Sequence, residues 1–226
     1  MNNLTNTVNT HRSKHVSRRG VLAGGIVAGV SSALGLSAVT AQPLLAQKAQ
    51  KKDSTGNAAN DIKILNTALY YEHQAIWAYG VAASKLSSTA VGKAVLALGL
   101  ANQADHKTHR DTLQSVIMSL GGTPVRTEAQ YDLSTYLNGK EGGLDSDVNI
   151  AKLALALEVD AAIAYGQEAA KLKTPALITA GASIATAEAS HATAIRAAFI
   201  ALGVNIKTVP AAFVSAETRS QWILKV

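Results

Sequence analysis

Two glutamates stand alone inside apolar runs. Glu72 opens "EHQAIWAYG" and Glu158 opens "EVDAAIAYG", and each is followed seven residues later by a tyrosine, Tyr79 and Tyr165. A third, Glu188, begins "EASH" and lies three residues before His191. A buried ionised carboxylate costs several kcal/mol unless something neutralises it, or else it takes up a proton. Three of them with a histidine ask for a cation. Carboxylate oxygens combined with imidazole suit iron or manganese, and zinc less distinctively.

The elements that must carry these residues are helices. Ala dominates the apolar positions, aromatic residues make up only 4% of the chain, and there are four Pro; such compositions are usually helical. Periodicity predicts four amphipathic helices, at about residues 61–84, 89–120, 147–172 and 175–202. Short turns join the first to the second and the third to the fourth, so each pair is expected to be an antiparallel hairpin. Residues 121–146 between the pairs are rich in Gly and turn formers. The expected fold is therefore all-α: a four-helix bundle of two antiparallel hairpins joined by a long crossover.

At about 100° per residue, the carboxylates point inward. The first helix aligns Leu65, Glu72, Ile76, Tyr79 and Ala83 on one stripe, and the third aligns Ala151, Glu158, Ala162, Tyr165, Ala169 and Leu172. The fourth aligns Ile184, Glu188, His191, Ile195, Phe199 and Leu202. His73 falls off the first stripe and is expected at the surface or an interface. Asp111, next to Arg110, reads as an outer-face ion pair.

Bundles that hold two ions take one Glu from each of two helices and a Glu-x-x-His from each of the other two. Glu72, Glu158 and Glu188 with His191 meet that template, and His106 in "NQADHKTHRD" supplies the second His. The position three before His106 is Gln103, not a carboxylate. The spacing supports this alignment, since Glu72 to Gln103 is 31 residues and Glu158 to Glu188 is 30. The apolar stripe of the second helix, however, centres between His106 and His109, with Gln103 and Asp105 to either side. The second helix thus ligates through His106 alone, through His106 and His109, or with help from Asp105, and Gln103 is a further candidate to ligate or to support a ligand. Tyr79 and Tyr165 are expected to support the ligands by hydrogen bonds.

The formal charge of +6 belongs to the start of the chain. Residues 1–52 carry seven Lys or Arg and no Asp or Glu, leaving 14 basic against 15 acidic residues beyond. Nothing in the bundle suggests a nucleic-acid surface. "SRRGVLAGG", with Arg18 and Arg19, fits a twin-arginine export signal, and the mildly apolar stretch 21–38 leads to small-residue cleavage sites after Ala41 or Ala46. A membrane anchor is the competing reading, disfavoured by a short, Gly-rich run. The expected organisation is a signal at 1–41, a polar linker at 42–60, the bundle at 61–205 and a tail at 206–226. The tail is expected to cover one end of the bundle or to meet a partner. Export would place the protein in the periplasm or another extracytoplasmic compartment. The absence of Cys means only that no disulfides staple it.

The stretches "EHQAIWAYGVAA", "HKTHRDTLQ" followed by "GGTPV" and "YDL", and "LALEVDAAIAYG" resemble ferritin-like proteins. More narrowly, the chain is similar to a bacterial ferritin-like group often found behind twin-arginine signals, over about residues 60–205. That resemblance implies a four-helix bundle with a di-iron or di-manganese centre. It also implies reaction with dioxygen or peroxide, as ferroxidases, iron stores, peroxidases and manganese catalases of the superfamily carry out. The expected ligands are Glu72, His106, Glu158, Glu188 and His191, for two ions or one. A non-enzymatic bundle with a degenerate site is the alternative, and Gln103 is its best support. A monomer or small homo-oligomer is the simpler expectation than a storage shell.

Overall fold

In the computed structural model, which describes residues 55–226, four long helices and two short ones follow one another along the chain. They are α1 (Thr55–Ala83), α2 (Ala90–Ser119), α3 (Ser134–Asn138), α4 (Asp147–Ala169), α5 (Pro175–Ala201) and α6 (Arg219–Trp222). The expected export signal and the linker up to residue 54 lie outside the described residues. The first helix starts at Thr55, several residues inside the expected linker, although "TGNAAN" contains a Gly; no Pro interrupts it. Helix α4 ends at Ala169, sooner than its apolar pattern suggested, because Leu172 belongs to the turn that closes the hairpin. Among the described residues no helix is long and apolar enough to cross a membrane.

Local signals account for the helix ends. Thr89 and Ser146 cap α2 and α4 by accepting from the backbone N–H of Gly92 and Asn149, at 3.1 and 3.2 Å. Helix α5 begins on Pro175 without a side-chain cap of its own. Instead Asp61, buried on α1, accepts from the N–H of Lys173 (2.8 Å) and Thr174 (3.0 Å). Its pKa is lowered, since burial is outweighed by these backbone and side-chain hydrogen bonds. Helices α2 and α5 end where Gly121 (φ +82°) and Gly203 (φ +87°) turn into the left-handed region.

Helices α1 with α2 and α4 with α5 form the two hairpins, and the crossover between them carries α3. It packs along α1: Asn66 donates to Thr123 O and accepts from Val125 N, and Gln74 donates to Asp132 O. That cover explains why His73 is buried, against expectation. Arg110 and Asp111 do form an ion pair at 2.8 Å. At Gly142 (φ +116°) the crossover passes so close to α4 that a Cβ would sit 2.1 Å from Leu153 N.

Two apolar clusters flank the middle of the bundle. Leu65, Leu69, Leu113, Val116, Ile117, Leu172 and Leu177 fill one end. Leu155, Val159, Ile195, Phe199, Trp222 and Ile223 fill the other, so the tail completes that core. Arg219 fixes the tail, pairing with Glu141 (2.8 and 2.6 Å) and Asp160 (2.5 and 2.8 Å). Arg196 donates from α5 to the carbonyls of Lys207 and Trp222.

Candidate metal centre

Between the clusters, the four long helices each turn polar groups inward. Glu72 on α1, His106 on α2, Glu158 on α4 and Glu188 on α5 are all almost completely buried, Glu188 at 0% exposure. His191 (9% exposed) and His109 (14%) line the edge. Ligand atoms of Glu72, His106, His109 and Glu188 lie within 4.8 Å of one another, as do those of His106, Glu158, Glu188 and His191. The two groups share His106 and Glu188.

His106 sits at the centre. Its Nδ1 is 2.8 Å from Glu72 Oε2 and its Nε2 is 3.2 Å from Glu158 Oε1, so one ring spans the carboxylates of opposite hairpins. The rings of His109 and His191 flank it, with centroids 6.0 and 5.7 Å away. His191 Nδ1 is 3.1 Å from Glu158 Oε2 and 3.0 Å from Glu188 Oε2. Its Nε2 is 3.1 Å from the carboxylate of Asp105. His109 Nδ1 is 3.0 Å from Glu188 Oε1 and 3.5 Å from Glu72 Oε1, but out of line for a hydrogen bond with either.

The second helix contributes one turn later than the spacing argument suggests. Glu72 and Glu158 each lie eleven residues before their helix ends, Ala83 and Ala169. Yet 13 residues separate Pro175 from Glu188, and 16 separate Ala90 from His106. The extra three residues are about one turn of helix. His106 and His109 therefore match Glu188 and His191, and Gln103 is carried out of the cluster. Its amide donates to Ile76 O at 2.9 Å and accepts from Lys107 at 2.9 Å. Asp105 stays at the rim, touching the cluster only through His191.

The tyrosines cross over. Each stands seven residues from its own Glu, about 10 Å along the axis and out of reach. Tyr79 instead donates to Glu158 Oε1, and Tyr165 donates to Glu72 Oε1. Asn102, which the sequence did not single out, donates to Tyr79 Oη at 3.0 Å and lies 3.4 Å from Glu158 Oε1. Its only sequence signal is a polar residue one turn before His106 on an inward face.

Charge balances within the cluster. Burial would raise the Glu72 carboxyl, but the hydrogen bond from His106 and the adjoining His106 and His109 imidazoles bring it down to about 2. Glu158 is likewise held well below the ordinary range: burial is outweighed by His106 and His191. Burial alone would lower the imidazoles. The carboxylates reverse that, raising His109 to about 9, His191 to about 10 and His106 well above its ordinary value. Burial, then the adjoining carboxylates, push the Tyr79 and Tyr165 hydroxyls up, so both remain donors.

A cation fits this set. Glu188 Oε1 and His109 Nδ1 are both buried and neither has a hydrogen-bond partner, although they lie 3.0 Å apart. Buried polar atoms are nearly always satisfied, and two ligand-type atoms left open side by side fit a shared ion. Three carboxylates and three imidazoles make a donor set compatible with iron, manganese or zinc.

A helical bundle with a carboxylate and imidazole cluster at mid-height defines a class of bundle proteins built around inward-facing ligands. The family model described as "Ferritin-like domain" matches residues 60–201, and the chain belongs to that family. A crystal structure of a conserved hypothetical protein from Mycobacterium tuberculosis is similar in fold, with a TM-score of 0.53 and 26% sequence identity. That similarity covers 71% of this chain and 99% of the other. No curated protein matches the chain.

Proposed function

We propose that this is an exported ferritin-like protein that binds two iron or manganese ions and turns over dioxygen or peroxide with them. The observation that carries the reading is the pair of unsatisfied buried atoms, Glu188 Oε1 and His109 Nδ1, within a six-residue ligand set drawn from four helices. Glu72 and His109 would help hold one ion and Glu158 and His191 the other, and Glu188 and His106, which belong to both groups, would complete the set. Such ions, when bound, supply redox equivalents and polarise an oxidant.

The chain's own groups do the rest. Tyr165 and Tyr79 hold one oxygen each of Glu72 and Glu158, aiming the remaining oxygens inward. The apolar clusters above and below exclude water. His109, the most exposed of the six, marks the side where a small oxidant would enter. Export through the Arg18-Arg19 signal suits such a site, because the twin-arginine route moves folded proteins and this ligand set exists only after all four helices pack.

Metal analysis tests the reading. Full-length protein purified after expression with iron and manganese supplied should hold one to two ions per chain, and Glu188→Ala should lose them. Well under one ion in the wild type overturns it. Replacing Arg18 and Arg19 with Lys should retain the protein in the cytoplasm.

One observation favours a second reading, a metal-free bundle serving as a protective or interaction module. The carboxylates and imidazoles of the cluster lie against one another, and the carboxylates raise all three imidazoles toward the protonated form, so they offset negative charge there without a cation. Metal content separates the two.

A further inference from the structure

The two halves of the cluster are unequally supported, and one exposed residue accounts for much of the difference. His191 presents Nδ1 to Glu158 and Glu188 while its Nε2 meets Asp105 Oδ2 at 3.1 Å. Asp105 is 62% exposed and contributes no ligand atom to either group. A carboxylate behind a ligating imidazole fixes its tautomer, fixes its ring orientation and raises its basicity. His109 has no such support: among the described residues the only carboxylates near it are Glu72 and Glu188, both on its Nδ1 side. The position on α5 that matches Asp105 is Ala187.

A second, independent asymmetry points the same way. Glu158 Oε1 is held by Tyr79, whose hydroxyl is in turn fixed by Asn102 at 3.0 Å. Glu72 Oε1 has Tyr165 alone, because the residue matching Asn102 is Ile184.

Building on the metal-binding reading above, we infer that Asp105 is a positioning residue that makes the Glu158–His191 half the tighter of two unequal ion positions. Its carboxylate accepts Nε2–H from His191 and so leaves Nδ1 free to coordinate. The Glu72–His109 half is the weaker position, filled second and emptied first.

The test is a titration of metal-stripped, full-length protein with cobalt(II), followed by calorimetry and by the visible absorption of the bound ion. Wild type should show two separable steps. Asp105→Ala should weaken the tighter step by about 10- to 100-fold and alter the absorption of the first equivalent, leaving the weaker step within about twofold. Asp105→Asn should recover part of the loss, since its amide oxygen still accepts from Nε2–H. His109→Ala should abolish the weaker step only. The inference is overturned if Asp105→Ala leaves both steps unchanged, weakens both equally, or weakens only the second. Wild type that binds no cobalt overturns the metal-binding reading itself, a result distinct from all of these. Because Asp105 is exposed, its replacement is expected to leave the metal-free melting temperature within about 2 °C.

Discussion

Loading the centre should expel protons in a countable number. In the metal-free protein His109 and His191 have pKa values of about 9 and 10, and His106 lies well above its ordinary range. At pH 7 the neutral forms of His109 and His191 are then roughly one part in a hundred and one in a thousand. A metal needs the neutral imidazole, so filling both positions should release about three protons. Each displaced proton makes the apparent binding constant rise about tenfold per pH unit, so the product of the two constants should rise about a thousandfold per unit near neutrality. That corresponds to roughly 4 kcal/mol of total binding free energy per pH unit. Titration calorimetry with manganese(II) in several buffers of different ionisation enthalpy reads the number directly. The slope of observed heat against buffer enthalpy should be close to three at pH 7 and should drop by one in His191→Gln. A slope below one, or affinity flat between about pH 6.5 and 8.5, would show that the imidazoles are already neutral and refute the charge-balance argument.

Other expectations concern the bundle. The metal-free protein should be most stable between about pH 4.5 and 6.5. His109 and His191 have raised folded-state values, so their contribution is full below about 6.5 and is lost as pH rises through about 9 and 10; Glu72, lowered to about 2, contributes above about 4.5 and loses it as pH falls toward 2. Melting temperatures across pH 3–10 check both limbs, and bound metal should flatten the alkaline one. Trp222→Ala should cost about 3–5 kcal/mol, because the buried indole completes the Phe199 end of the core, and denaturant midpoints measure it. Asp61→Ala leaves the N–H groups of Lys173 and Thr174 without their buried acceptor and should cost about 2–3 kcal/mol, with amide exchange at the start of α5 accelerated.

Much of this was legible in the sequence because burying charge is expensive enough to leave a pattern. Glu72, Glu158 and Glu188 stood out as carboxylates on apolar stripes, and the long Gly-rich connection identified the crossover. The register of α2 was less legible. Counting from Glu72 favoured Gln103 with His106, while the apolar stripe favoured His106 with His109; an extra turn of α2 ahead of the site decides for the second. Periodicity within one helix could not reveal that Tyr79 serves Glu158 and Tyr165 serves Glu72, since that pairing depends on how opposite helices are staggered. His73 was misjudged for a similar reason: its helix face is covered by the crossover, not by another helix.

That exchange of tyrosines has the form of an isologous contact. Each hairpin offers the other the same donor for the same acceptor, as two identical subunits do across a two-fold axis, but here both copies lie on one chain. A true two-fold pair would have to change both halves with every substitution. A tandem pair is released from that constraint. The departures from symmetry, His106 opposite Glu188, Asn102 opposite Ile184 and Asp105 opposite Ala187, all fall on the second helix of each repeat. The first helices keep the shared Glu and Tyr, and the second helices are where the two halves of the cluster differ in the groups they present.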